Sequence, residues 1–274
     1  MNENMPKTLY VSDLDGTLLN SRAELSEFTV NAINVLLEQG MLFSYATARS
    51  YSGALTLTRG ITQNLPVIVY NGTLVIENST GKRLLSHRFS DADVQRILKK
   101  MTACGVYPTV HAFFDGAERY SYCPQLQSRA MREYNDTRRG DTRERVTDLA
   151  GLGMGEIFHF TCIDETDRLL PLYGALKEEF QCLFYIDLYS GERWLEVQPA
   201  EATKANAVLA LKQLLHCEKV VCFGDGKNDI SMFEVSDECY AVANAEPELK
   251  ELANAVIDGN DADGVAKWLL KNFK

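Results

Sequence analysis

Four short apolar runs punctuate the chain, at residues 9–11, 42–45, 67–70 and 220–223, and each is followed at once by small or polar residues. Runs of this length without polar alternation suit strands buried on both faces of a parallel sheet. Between the first two, residues 25–39 carry apolar side chains at helical spacing (Phe28, Ala32, Leu36), and Gly40 follows where a helix C-cap would sit. Strand, helix, strand is a βαβ unit, whose crossover is expected to be right-handed. The tail repeats the logic: a helix over 203–215, the strand at 220, a helix from Asp229, a strand over 239–242, and a terminal helix ending near Phe273. The two ends together predict one α/β, doubly wound parallel-sheet core.

The middle of the chain has a different rhythm. Residues 71–89 alternate like a hairpin about the turn Asn78-Ser79-Thr80-Gly81. After it come a helix over 91–103, strand-like pieces at 106–114 and 119–122, and an arginine-rich stretch over 138–145 that reads as a solvated loop. A strand at 157–162, a helix over 165–180 and strands at 184–189 and 194–197 complete the segment. Strands and helices interpolated in a βα pattern predict an inserted α+β domain over 87–189, with 1–86 and 190–274 forming the core.

A length of 274 residues accommodates two modest domains, and 46% hydrophobic with 24% charged residues is the balance of a globular chain. A formal net charge of −10 argues against a nucleic-acid binder that tracks phosphates and against adsorption to anionic membranes. Seven cysteines in an odd, scattered set, with no C-x-x-C pair, read as reduced thiols in a cytoplasmic protein. The first residues lack a signal-peptide pattern, and no apolar run reaches membrane-spanning length. A monomer or small homo-oligomer is expected.

Candidate chemistry gathers where strands end. Asp13-Leu14-Asp15-Gly16-Thr17 leaves the first strand, and ligands of a doubly wound sheet bind beyond the carboxyl ends of its strands. Two carboxylates one residue apart repel unless a cation relieves them, and a hard divalent ion such as Mg2+ takes such oxygen ligands. Gly224-Asp225-Gly226-Lys227-Asn228-Asp229 follows the strand at 220, so Asp225 can supply a third carboxylate while Asp229 can cap the next helix. Thr47 and Arg49 come after the second strand and Lys204 starts a helix; the Thr47 hydroxyl, the amides of Thr47 and Ala48 and the one ammonium are groups that bind and neutralise a phosphoryl dianion.

With Asp13-Leu14-Asp15-Gly16-Thr17-Leu18, Thr47-Ala48-Arg49, Asn71-Gly72, Lys204 and Gly224-Asp225-Gly226-Lys227-Asn228-Asp229 in this order, the chain resembles the haloacid dehalogenase superfamily. Within it, the closest likeness is to the Cof-type sugar-phosphatase-like group, which carries the larger (type IIB) cap in the place of the insert. The resemblance implies a Rossmann-like core, an α/β cap, Mg2+ as cofactor and hydrolysis of small phosphorylated metabolites through an aspartyl-phosphate. It implies Asp13 as nucleophile, Asp15 as general acid and then base, and Thr47 and Lys204 as phosphoryl-binding groups. Asp225 would hold the metal with Asp13 and the main-chain carbonyl of Asp15, while Asn228 and Asp229 position the phosphate or the metal's outer layer. Alanine at position 48 departs from the family's usual glycine; it keeps the amide but restricts φ.

A phosphomutase shares this chemistry and remains a competing reading, as does a receiver-like phospho-acceptor switch; the cap and Asp15 argue against the latter. His87, His111, His159 and His216 have no ligand spacing and read as packing or surface. Tyr107, His111, Phe113, Phe114, Tyr120 and Tyr122 of the insert read as core before pocket lining.

Overall fold

The computed structural model describes residues 6–62, 65–186 and 190–273. The chain divides into two compact units, one made of the residues up to Ser86 and from Ala202 on, the other of His87–Glu201.

In chain order the first unit contains β1 (Thr8–Ser12), α1 (Glu27–Glu38), β2 (Leu42–Tyr45), α2 (Tyr51–Leu57), β3 (Val67–Val69), β4 (Leu74–Ile76) and β5 (Arg83–Ser86). The second contains α3 (Asp91–Ala103), β6 (Thr109–Phe114), β7 (Ala117–Tyr122), α4 (Arg129–Asp136), β8 (Glu144–Val146), β9 (Glu156–Ile163), α5 (Thr166–Leu176), β10 (Gln181–Ile186) and β11 (Arg193–Gln198). The chain then returns to the first unit as α6 (Lys204–Leu214), β12 (Lys219–Gly224), α7 (Ile230–Val235), β13 (Glu238–Val242), α8 (Pro247–Leu252), β14 (Ala255–Ile257) and α9 (Gly264–Asn272).

The first unit is built on a parallel sheet of order β14-β13-β12-β1-β2, which β3 extends through one bridge, Ala46 to Ile68. Strand side chains alternate between faces. Tyr10, Phe223 and Tyr240 meet Trp268 of α9 on one face, while Cys222 and Cys239 meet the Ser236 hydroxyl at the end of α7 on the other. Helix α1 starts at Ser26, whose Oγ accepts the Thr29 N–H at 3.0 Å, and stops where Gly40 takes φ +93°. The sequence order of strands reverses between β1 and β12, so the two acidic turns leave neighbouring strands at the same edge.

The second unit is a six-stranded sheet of order β10-β11-β9-β6-β7-β8, antiparallel except where β8 joins β7. Val110, Ala112, Phe160, Cys162, Leu195 and Val197 pack with α3 and α5 through Ile97, Met101, Leu169 and Leu172. The return to the first unit comes at Glu201/Ala202, later than the expected 189/190, because β11 pairs with both β9 and β10 and belongs to this sheet. Part of the strand expected over 184–189 lies outside the described residues. The 138–145 stretch is a solvated loop only in part: Arg139, Gly140 and Thr142 are exposed, but the Arg143 guanidinium binds Glu118 at 2.7 Å and Asp141 at 2.6 Å, and Arg138 lies 3.8 Å over the Tyr120 ring. Its long side chains cover apolar surface while their charged heads are paired.

Candidate active site

Strand β1 hands the chain directly to Asp13, whose main-chain N–H donates to the Phe223 carbonyl at 2.9 Å. That bond ties the Asp13 turn to β12, from which Asp225 departs. The oxygens of Asp13, Asp225 and Asp229 all lie within 4.8 Å of one another. Asp13 is 5% exposed, Asp229 is fully buried, and Lys204 at 1% is buried between them. Its Nζ donates to Asp13 Oδ1 at 2.5 Å and to Asp229 Oδ1 at 2.6 Å. Asp229 Oδ2 accepts the N–H groups of Asp225 and Gly226, both at 3.0 Å, so both its oxygens are committed within the protein. Thr17 Oγ1 donates to Asp225 Oδ1 at 2.8 Å.

The electrostatics follow from burial. Desolvation holds the Asp13 carboxyl well above the usual range; Lys204 opposes this, and Asp229, Asp225 and Asp15 reinforce it. Desolvation and then Asp229 push Asp225 up to about 6. Burial would lower the Lys204 ammonium, but Asp13 and Asp229 more than reverse that and raise it.

Lys204 owes its place to Thr203, which caps α6 by accepting the Asn206 N–H at 3.1 Å, and to the loop at 70–72. Tyr70, Asn71 and Gly72 are all left-handed, with φ of +49°, +52° and +100°. At Gly72 a Cβ would stand 2.1 Å from the Thr203 carbonyl oxygen. Gly72→Ala is therefore expected to cost about 3 kcal/mol from backbone strain and overlap. A urea midpoint equal to wild type would show that the contact relaxes freely.

Thr47 and Ala48 follow β2. The Thr47 N–H is spent on the Ile68 carbonyl at 3.0 Å, which removes that amide from the expected phosphoryl-binding set. Its hydroxyl, accepting the Arg49 N–H at 3.1 Å, still has a proton to donate. Ala48 is not among the positive-φ residues, so alanine fits the backbone without strain. Asn228 Nδ2 donates to Asn71 Oδ1 at 3.1 Å, and the buried Asn71 Nδ2 has no hydrogen-bond partner.

The Asp15 carboxylate stands apart from the cluster of three. Arg49 grips it through Nε to Oδ2 at 2.7 Å and Nη2 to Oδ1 at 2.6 Å. A ligand role for Asp15 thus falls to its main-chain carbonyl, the atom the family resemblance implied.

Three contributors were not assigned roles from sequence. Arg49 and Asn71 stood only inside quoted motifs, and the Asn-Gly pair at 71–72 was the one signal of a left-handed turn. Asn244, which donates to the Gly16 carbonyl at 2.7 Å, had no signal at all.

A metal fits these residues. Among the described residues the ion-pair partners of Asp13, Asp15, Asp225 and Asp229 are Lys204 and Arg49, a formal excess of two negative charges, and the donors are all oxygen. The unpartnered Asn71 Nδ2 beside them suits an additional acceptor such as a phosphoryl oxygen.

This arrangement lies beyond the carboxyl ends of the strands of a doubly wound sheet, where such sheets bind ligands. A family model for haloacid dehalogenase-like hydrolases matches residues 10–269, and the chain belongs to that family, in its Cof-type branch. The 5-amino-6-(5-phospho-D-ribitylamino)uracil phosphatase YwtE of Bacillus subtilis is 28% identical over 278 residues, covering 94% of this chain and 95% of that protein. The solved haloacid dehalogenase-like hydrolase from Bacteroides thetaiotaomicron superposes with a TM-score of 0.79 at 23% identity, covering 97% of this chain and 100% of that one. The subclass IIB sugar phosphatase BT4131 does so with a TM-score of 0.75 at 19% identity, covering 96% and 97%. The chain is a phosphatase, which implies a small phosphorylated substrate. None of its described helices is long and apolar enough to cross a membrane.

Proposed function

We propose that this phosphatase hydrolyses small phosphomonoesters, sugar phosphates or similar metabolites, in the cytoplasm, with Asp13 as nucleophile and Mg2+ as cofactor. The observation that carries the reading is the Asp13 carboxylate at the end of β1, 2.5 Å from Lys204 and clustered with Asp225 and Asp229.

Asp13 attacks phosphorus, the P–O bond to the leaving group breaks, and Asp15 delivers a proton to the departing oxygen. Asp15, now a carboxylate, takes a proton from the water that cleaves the aspartyl-phosphate, which returns Asp13 and releases inorganic phosphate. Lys204 holds Asp13 in place and offsets negative charge as it develops. The Thr47 hydroxyl, the Ala48 amide and the Asn71 amide are donors for the phosphoryl oxygens, and Asn228 orients Asn71. Asp13, Asp225 and the Asp15 carbonyl would hold Mg2+, with Asp229 fixing the Asp225 turn. When bound, the ion neutralises phosphoryl charge.

Chelation is expected to abolish activity and Mg2+ to restore it. Because the metal-free Asp225 carboxyl titrates near 6, protons and metal compete there. The sign follows: the carboxyl must lose its proton to bind, so thermal stabilisation by Mg2+ should grow as pH rises through about 6. Equal stabilisation at pH 5 and pH 7.5 would remove Asp225 from the metal site. Substrate class is tested by screening phosphorylated metabolites with and without Mg2+, ranked by kcat/KM. The phosphoribitylamino compound named for the Bacillus subtilis relative is the first candidate. A complete absence of phosphate release across phosphomonoesters would defeat the proposal.

A further inference from the structure

The bidentate pair between Arg49 and Asp15 joins residues 34 positions apart in sequence. Both side chains are about one-third exposed, 32% for Arg49 and 33% for Asp15. A pair this exposed adds little stability, so its content is geometric. The planar guanidinium fork meets both carboxylate oxygens at 2.6 and 2.7 Å, an arrangement that fixes the direction and rotation of the carboxylate together.

The base of the fork is itself fixed. The Arg49 N–H donates to Thr47 Oγ1 at 3.1 Å, and its carbonyl accepts the Tyr70 N–H at 3.0 Å. Thr47 in turn is tied to Ile68 and to Asn71 by main-chain bonds of 3.0 and 2.9 Å. Asp15 is anchored less well: it precedes Gly16, which is left-handed at φ +75°, and among the described residues no other group hydrogen-bonds its carboxylate.

We propose that Arg49 is the positioning residue of Asp15: its guanidinium sets where the Asp15 carboxyl stands and acts on leaving-group departure through Asp15, without serving as a phosphoryl ligand. The inference rests on Asp15 acting as acid and base. When Asp15 carries the proton, its other oxygen still accepts from Arg49, so one arm of the fork keeps the carboxyl in place. The Nε–Nη2 edge, which would meet a phosphoryl group in bidentate fashion, is already engaged by Asp15.

A double-mutant cycle on the full-length protein tests this, using Asp15→Asn, Arg49→Gln and the pair. The readout is kcat/KM, which reports the steps through leaving-group release, for an alkyl phosphomonoester and for p-nitrophenyl phosphate. The alkoxide needs a proton and p-nitrophenolate does not. For the alkyl ester, Asp15→Asn should lower kcat/KM by on the order of 10²–10⁴-fold. Arg49→Gln should lower it by roughly 10–100-fold in the wild-type background but by less than about threefold in the Asp15→Asn background, the non-additivity of groups acting as one. With p-nitrophenyl phosphate, Arg49→Gln should leave kcat/KM within about threefold of wild type. Arg49→Lys, which keeps charge and loses the fork, should recover only part of the loss; it also replaces Arg49→Gln in the cycle should that variant fail to fold.

An equal cost of Arg49→Gln in both backgrounds, or for both esters, overturns the proposal in favour of a phosphoryl-binding or structural role. If Asp15→Asn alone fails to separate the two esters, the acid role of Asp15 falls and this proposal with it. That failure is visible in the single variant, before Arg49 is touched.

Discussion

Asp13→Asn is expected to lower phosphomonoester turnover by at least about 10³-fold while leaving the chain folded. The amide matches the carboxylate in shape, so it fits a site only 5% exposed, and its oxygen can still accept from Lys204. An amide oxygen is a poor nucleophile toward phosphorus, so the first bond-making step is lost. The change also removes one negative charge from a crowded cluster, which relieves repulsion, so lost activity would not reflect lost stability. Phosphate release measured beside circular dichroism and thermal unfolding separates these effects. A folded variant retaining more than a tenth of wild-type kcat would remove Asp13 as the nucleophile.

Replacing Lys204 by Met should instead strike stability first. The ammonium is 99% buried and bridges two carboxylates, so its removal leaves Asp13, Asp225 and Asp229 oxygens within 4.8 Å of one another with no cation among them. Breaking a buried ion pair by deleting one partner costs about 3–5 kcal/mol. For a chain of this size that corresponds to a melting temperature lower by on the order of 10 °C. Methionine fills the space of the stem, so the loss is electrostatic more than steric. Saturating Mg2+ should then stabilise the variant more than it stabilises wild type, because a divalent ion supplies the missing positive charge. Thermal unfolding in chelator and in Mg2+ reads both predictions. A variant as stable as wild type in chelator would mean that the carboxylates are neutralised some other way.

Much of this arrangement is legible along the chain. The apolar run before Asp13 and the run before Asp225 announce two buried strands, and strand ends in such a sheet are where ligands bind. Lys204 at the start of a helix is as expected, and the structure adds Thr203 as its cap. What was missed is of two kinds. Short elements such as α2, α4 and β14 carry too few periodic positions to rise above their surroundings. The boundary near residue 190 was set too early because β11, with its alternating pattern, reads the same whichever sheet it joins; only pairing with β9 and β10 assigns it. The arginines at 138–145 were misjudged because Arg143 finds Glu118, 25 residues away, and no local pattern announces such a partner.

Residue type and spacing alone determined that this chain folds as a doubly wound core with an insert, and singled out Asp13, Asp15, Asp225, Thr47 and Lys204 as candidate chemical groups. These are properties of local periodicity and of the side chains available at strand ends. Which carboxylates share a cluster was decided only by tertiary structure: Asp229 joins Asp13 and Asp225, while Asp15 turns to Arg49. Distances among charges from four separate segments depend on strand register and helix packing, and at these separations a shift of a few ångströms exchanges one ion pair for another.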